Sequence, residues 1–191
     1  MILCYSEIKD AIRWGLWPVC RDGEAIGASD LQINPNSIDV TLGNIALWPE
    51  TGKTVIDPRN PETLAWREET FDELVLDPGG FVLAHVRERF DCNLALMIDG
   101  KMRHFIPMIE GRSTLARCGL SIHQTAGFGD VGFDGNFTIE LSAHLPIVLR
   151  PGDRIAQVYF VEASSGSRRY SGAYTGQYDA PRAPTLGDGR V

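Results

Sequence analysis

Short apolar runs cut by glycine and proline limit what this chain can build. Its 20 Gly and 11 Pro are spread along all 191 residues rather than gathered in one tract, and both residue types interrupt long helices. Many short strands joined by turns satisfy that pattern. Ile38, Val40 and Leu42 alternate with Asp39 and Thr41, the period of a half-buried strand, and Gly43-Asn44 then predicts a turn. Leu74-Val75-Leu76, Asp77-Pro78-Gly79-Gly80 and Phe81-Val82-Leu83-Ala84 read as strand, turn, strand. Residues 137–141 and 155–161 add two strands, the second entered through a turn at Pro151-Gly152-Asp153.

Two helices are predicted. The first is amphipathic: Ser6 caps it, Ile8, Ala11 and Ile12 share its buried face, and Gly15 or Pro18 ends it. The second is short, over residues 112–118, with Gly119 as its stop. Residues 49–70, rich in Pro, Glu, Thr and Arg, read as an exposed excursion. From Ser164 the composition shifts to Gly, Ser, Tyr, Arg and Pro, a tail expected to be mobile when nothing is bound. With no repeat and no second domain in view, the expectation is one mainly β domain over residues 1–163 with a flexible lid or tail over 164–191.

Charge and cysteines narrow the function classes. A net charge of −7 provides no basic field to hold DNA or RNA, although a few local arginines can still bind a small polyphosphate. No apolar stretch approaches the roughly 20 residues needed to span a bilayer. The opening Met1-Ile2-Leu3-Cys4 run is too short for a secretory signal. Cys4, Cys20, Cys92 and Cys118 show no paired spacing, so a reduced, cytoplasmic setting is expected.

The segment that carries chemistry is Glu110-Gly111-Arg112-Ser113-Thr114-Leu115-Ala116-Arg117-Cys118-Gly119-Leu120. On a helix, Ser113 and Arg117 share one face, while Arg112, Ser113 and Thr114 occupy the first turn, where free N–H groups favour anions. Spacing alone also fits a capped surface helix with solvated arginines. Next, residues 121–135 hold Gln124-Thr125-Ala126-Gly127-Phe128-Gly129-Asp130 and Gly132-Phe133-Asp134-Gly135, a tight glycine-rich loop. An aromatic ring beside an aspartate suits a sugar, the ring packing on its face and the carboxylate accepting from a hydroxyl. Taken alone, the pattern is more commonly that of core residues at Phe128 and Phe133 and a turn former at Asp130. Glu140 interrupts an apolar strand, sharing a face with Thr138 and opposing Phe137, Ile139 and Leu141. A plain solvent-facing glutamate would show the same pattern.

These blocks together resemble the dCTP deaminase family. Gly111-Arg112-Ser113-Thr114-Leu115-Ala116-Arg117 resembles its signature, as does Thr125-Ala126-Gly127-Phe128 leading to Asp130, Gly132-Phe133 and Gly135, with Glu140 standing 23 residues after Arg117. Residues 34–43 and 151–157 resemble its first and late blocks, in the right order. The resemblance implies a distorted jelly-roll-like β-barrel of the dUTPase type, with a short N-terminal helix and one short internal helix. It also implies a homotrimer with sites between subunits, and dCTP, dUTP and dTTP as ligands. Carried over by position, Glu140 is the general base that activates water at C4 of cytosine, with Arg117 and Ser113 holding the water and the amino group. Arg112 and Thr114 bind phosphates, Ala126 keeps space at the base edge, Gln124 and Thr125 are substrate-binding, Asp130 meets the sugar hydroxyl, and Phe133 lies beneath the deoxyribose. Mg²⁺ accompanies the triphosphate. Zinc is not expected, because deaminases that use it carry H-x-E followed by P-C-x-x-C, and neither occurs in this chain.

In the tail, Tyr170, Tyr174 and Gln177 resemble the family's closing lid. The usual lysine before the second tyrosine is Ala173 here, with Arg168, Arg169 and Arg182 as candidate replacements. Deamination of dCTP to dUTP and ammonia is the main reading. The alternative is a bifunctional enzyme giving dUMP and pyrophosphate, which the Thr125-Ala126-Gly127-Phe128 variant with Asp130 resembles. A dUTPase alone, or a trimeric nucleotide-binding module without activity, are the further readings.

Overall fold

The computed structural model describes residues 1–13, 19–50, 55–57, 59–60, 64–91, 95–164 and 167–184. The predicted helix stops at Gly15 and Pro18, and Cys92, lie outside these residues. Helix α1 spans Tyr5–Arg13 and buries Ile8, Ala11 and Ile12 as the spacing predicts. Ser6 is not its cap. The chain enters at Cys4, whose backbone N–H donates to the Glu7 carboxylate at 2.8 Å, so the glutamate reaches back to satisfy the free end of the helix.

The rest is β-structure. In chain order the strands are β1 (Val19–Arg21), β2 (Glu24–Ile26), β3 (Gln32–Ile33), β4 (Ile38–Pro49), β5 (Trp66–Thr70), β6 (Leu74–Leu76), β7 (Phe81–Asp91), β8 (Ala95–Ile98) and β9 (Lys101–Gly111). The five-residue helix α2 (Ser113–Arg117) follows, then β10 (Leu120–Ser121), β11 (Asp134–Ala143), β12 (Ile147–Leu149) and β13 (Arg154–Ala163). One antiparallel sheet runs β10-β11-β7-β4-β13-β9-β8, with β1, β3 and β5 attached along it. Its ends stay open at β10 and β8, so the body is a distorted jelly-roll-like fold.

Burial explains the long strands. β11 carries buried Phe137, Ile139 and Leu141 between half-buried Thr138 and Glu140, the two-residue period of a strand with one face in the core. Phe105, Phe160, Ile109 and Ile139 are among the fully buried side chains, and Phe90 meets Phe160 edge-on at 6.0 Å between centroids, a favoured aromatic geometry. The buried Glu88 carboxylate is satisfied by Arg21 Nε at 2.9 Å and by the backbone N–H and hydroxyl of Thr41 at 2.7 and 2.8 Å.

Two local expectations give way to long-range packing, and one predicted strand finds a distant partner. β4 runs straight through Gly43-Asn44 instead of turning, with a shift in its register against β7 between Leu42 and Ala46. The glycine is there for another reason: a Cβ on it would lie 2.1 Å from Nε2 of the buried His85. β6 does not pair with β7 across the Asp77–Gly80 turn; it pairs with β12, Leu76 opposite Ile147. Residues 66–70, read as part of an excursion, form β5 on β4, with Trp66 opposite Pro49.

The Gly43 contact makes a specific prediction. Gly43→Ala should destabilise the fold by about 1–3 kcal/mol through overpacking, measured by denaturant unfolding. In the Gly43→Ala/His85→Ala double variant most of that cost should disappear, since the two residues share one space. Strictly additive effects would show that His85 is not the obstacle.

Candidate active site

A cavity of about 620 Å³ brings much of the predicted site together. The 126–133 loop contributes Ala126, Asp130 and Phe133; one stretch of β11 contributes Asn136, Thr138 and Glu140; the tail contributes Tyr170, Tyr174, Gln177 and Arg182. The remaining wall is apolar, built by Trp66 on β5 and by Phe81 and Leu83 on β7.

Glu140 owes its place to sheet register. It lies opposite Leu83 on β7, with its backbone N–H donating to Ile122 O at 2.9 Å. Its Oε2 accepts the backbone N–H of Gln124 at 2.8 Å, which fixes one carboxylate oxygen and leaves the other without a partner among the described residues. Gln124 is held in turn, its Nε2 donating to Ser142 Oγ at 2.9 Å. The next residue, Thr125, adopts a left-handed backbone at φ +67°, a strained state for a β-branched side chain and one that concentrates at functional sites. Gln124 and Thr125 therefore stand at the rim, outside the lining, but they pin the loop onto Glu140.

The glycines of this loop serve its seating on β9. Gly129 N–H donates to Pro107 O at 2.9 Å, and Ile109 N–H donates to Gly127 O at 2.9 Å. A Cβ at Gly127 would come within 2.4 Å of Ile109 O, and one at Gly129 within 2.7 Å of Pro107 O. Laid flat in this way, the loop exposes Phe128 and Asp130 to the cavity. The Asp130 carboxylate has no hydrogen bond or ion pair among the described residues, while buried Phe133 stacks on Phe137 at 4.9 Å. Phe133 is thus both core and wall. His123, at the start of the loop, approaches Glu110 with Nε2 3.3 Å from its carboxylate.

The helix residues stand elsewhere. α2 is followed by Gly119 at φ +84°, as predicted, but Arg112, expected in its first turn, stands before the helix in extended backbone and makes no side-chain capping bond. Ser113, Thr114 and Arg117 are exposed and none of them lines the cavity of its own chain. Arg112 turns instead to the buried Asp39 carboxylate, Nε to Oδ2 at 3.3 Å. Asp39 is also bound by Asn34 at 2.7 Å and approached by Arg154 at 3.4 Å.

Over residues 167–184 the tail is hydrogen-bonded to the body. Tyr170 N–H donates to Val131 O at 2.7 Å, and Gly176 N–H donates to Asp134 O at 2.9 Å. Gln177 is buried, its Nε2 donating to Asn136 O at 3.1 Å and to Thr138 Oγ1. Of the three arginines that could stand in for the lysine replaced by Ala173, Arg182 lines the cavity, with its guanidinium bonded to the Ala173 carbonyl. Local sequence gives no sign of Trp66, Phe81, Leu83 or Asn136, because strand pairing across the sheet brings them to the cavity. Among the described residues no group of three or more His, Cys, Asp or Glu side chains is gathered to hold a metal ion, and no helix is long and apolar enough to cross a membrane.

Comparison with known proteins follows the same lines. A family described as dCTP deaminase-like matches residues 6–163. A protein of Methanoculleus marisnigri named "dCTP deaminase, dUMP-forming" is 35% identical over 190 residues, covering 97% of this chain and 94% of its own. A protein of the same name from Corynebacterium jeikeium is 40% identical over 164 residues, 82% of each chain. Among solved structures, the 2'-deoxycytidine 5'-triphosphate deaminase of Agrobacterium tumefaciens superposes with a TM-score of 0.58 at 18% identity, over 85% of this chain and 48% of that longer one. That likeness supports the fold, and the matched sequence settles the family. The chain belongs to the dCTP deaminase-like family.

Proposed function

We propose that this chain converts dCTP, taken as its magnesium complex, to dUMP, ammonia and pyrophosphate. The observation that carries the reading is Glu140: a carboxylate on the half-buried face of β11, opposite buried Ile139 and Leu141, oriented by a backbone hydrogen bond at the wall of a cavity that also holds Asp130. The names of the Methanoculleus and Corynebacterium relatives favour this bifunctional reading over a deaminase that stops at dUTP.

In the first step Glu140 accepts a proton from a water. The resulting hydroxide attacks C4 of cytosine, and the protonated carboxyl returns that proton to the departing ammonia, leaving dUTP. General acid–base catalysis of this kind contributes roughly 10²–10⁴-fold. The step calls on no zinc, in keeping with a sequence that lacks the H-x-E and P-C-x-x-C pattern. In the second step a water attacks the α-phosphorus and pyrophosphate leaves. Asp130, free of other partners, orients the sugar and the attacking water. Phe133 packs beneath the deoxyribose, and Arg182 provides the cationic contact to phosphate that Ala173 cannot.

Ser113 and Arg117 enter this reading from an adjacent copy. They are exposed on α2 and stand outside their own cavity, so a homotrimer that lays α2 of one chain over the cavity of the next would place a guanidinium and a hydroxyl opposite Glu140. Arg112 and Thr114 would meet the phosphates from the same side.

Two outcomes test the proposal. Glu140→Gln should lower deamination by roughly 10²-fold or more while nucleotide binding survives, and Arg117→Ala should be similarly inactive. Mixing the two variants under subunit exchange should restore activity, because some sites then combine an intact Glu140 with an intact Arg117 of a neighbour. A mixture as inactive as its components, or a monomeric mass by light scattering, would contradict the shared site. Separately, a time course from dCTP should show dUMP and pyrophosphate early, and Asp130→Asn should accumulate dUTP with deamination retained. If wild-type protein accumulates dUTP without pyrophosphate, the second step is absent.

A further inference from the structure

We infer that Arg89, Asp134, Asn136 and Tyr178 are positioning residues for this site: they latch the tail onto the start of β11 of the same chain and so set the fraction of time the cavity is closed. The inference rests on the reading above in taking the cavity as the nucleotide site.

The latch has two parts. In the first, Asp134 receives a bidentate pair from Arg89, Nε to Oδ1 and Nη2 to Oδ2 both at 2.8 Å. Tyr178 OH donates to the same carboxylate at 3.0 Å. The Arg89 guanidinium lies 4.0 Å above the Tyr178 ring, within the range of a cation–π contact. Burial pushes the Asp134 carboxyl up, but the hydrogen bonds from Arg89 and Tyr178 and the charge of Arg89 outweigh it and leave the group below its ordinary value. It is therefore charged at neutral pH.

Asn136 is the second part. β11 shifts register against β7 between Asn136 and Thr138, and the buried Asn136 amide fills that irregularity, its Nδ2 donating to the carbonyls of Val86 and Arg87 at 3.0 Å each. Its Oδ1 then accepts the backbone N–H of Asp179 at 3.0 Å. Its own backbone N–H donates to Gln177 O at 2.9 Å, and its carbonyl accepts Gln177 Nε2 at 3.1 Å. One side chain thus joins body and tail with its donors and acceptor in use. Gly135 completes the fit, since a Cβ there would stand 2.7 Å from Gln177 O.

Arg89, Asp134 and Tyr178 stand outside the cavity lining. The tail that they hold carries Tyr170, Tyr174, Gln177 and Arg182 into the cavity. When only the closed form binds productively, apparent affinity falls in proportion to the closed fraction, so loosening the latch should raise KM and leave the chemical step alone.

Tyr178 is exposed and touches no wall of the site, which makes it the residue to change. Amide hydrogen exchange on the protein alone should show Gly176 and Asp179 protected in wild type, and Tyr178→Ala should speed their exchange by about tenfold without altering Val158 in the core. The same variant should raise KM for dCTP by a similar factor with kcat little changed. Tyr178→Phe, which keeps the ring over Arg89, should recover part of both effects. The latch is overturned if Gly176 and Asp179 exchange in wild type like an unstructured peptide, if Tyr178→Ala leaves their exchange unchanged, or if kcat falls while KM holds. The exchange measurement needs no turnover, so it judges the latch even for a chain that does not act on dCTP.

Discussion

The antiparallel pairing of β11 with β7 fixes where the groups of the site stand. With Glu140 opposite Leu83 and Ile139 opposite Ala84, the two-residue period sends Ile139 and Leu141 into the core and turns Thr138 and Glu140 to the cavity. A slip of one residue would reverse every side chain on the strand, burying the carboxylate and exposing the core. The fully buried Ile139 and Leu141 make such a slip costly, at about 1.5–3 kcal/mol for each such side chain returned to water. The placement of Glu140 and the stability of the fold therefore rest on the same register.

Around that register the site is assembled from parts that do not share a local signal. The alternation that singles out Glu140 lies within a few residues and is legible in the sequence, as are α2 with its Gly119 stop and the buried face of α1. Position along known family blocks identifies Ala126, Asp130, Phe133, Tyr170, Tyr174 and Gln177, and the fold brings all six to one cavity. What the sequence hides is set by pairing at a distance. Trp66 reads as part of a polar excursion because its role appears only when β5 lies on β4. Gly43 reads as a turn residue because nothing near it announces that a histidine 42 positions later needs its space. The strands at 74–76 and from 81 are legible, but the pairing of β6 with β12 is invisible locally, because the partner lies about 70 residues away.

The division of the motif is the structural point with most bearing on function. The helix that carries Ser113 and Arg117 and the strand that carries Glu140 belong to one domain, yet the helix residues face outward, away from their own cavity. A conformational change large enough to bring them inward would have to lift Arg112 from the buried Asp39. That would leave the buried carboxylate to Asn34 and the more distant Arg154, a cost that the shared site proposed above avoids. The tail shows the opposite logic: it closes on its own chain, through Asn136 and the Arg89–Asp134–Tyr178 set.

In the proposed reaction Glu140 meets C4 of the cytosine within this cavity. A crystal structure of the Glu140→Gln variant with dCTP bound tests this most directly. The 4-amino group should lie within hydrogen-bond reach of the side chain at position 140, or one water away, at about 2.6–3.2 Å between heavy atoms, with the sugar between Asp130 and Phe133. A cytosine bound elsewhere, with position 140 facing bulk solvent, would contradict it.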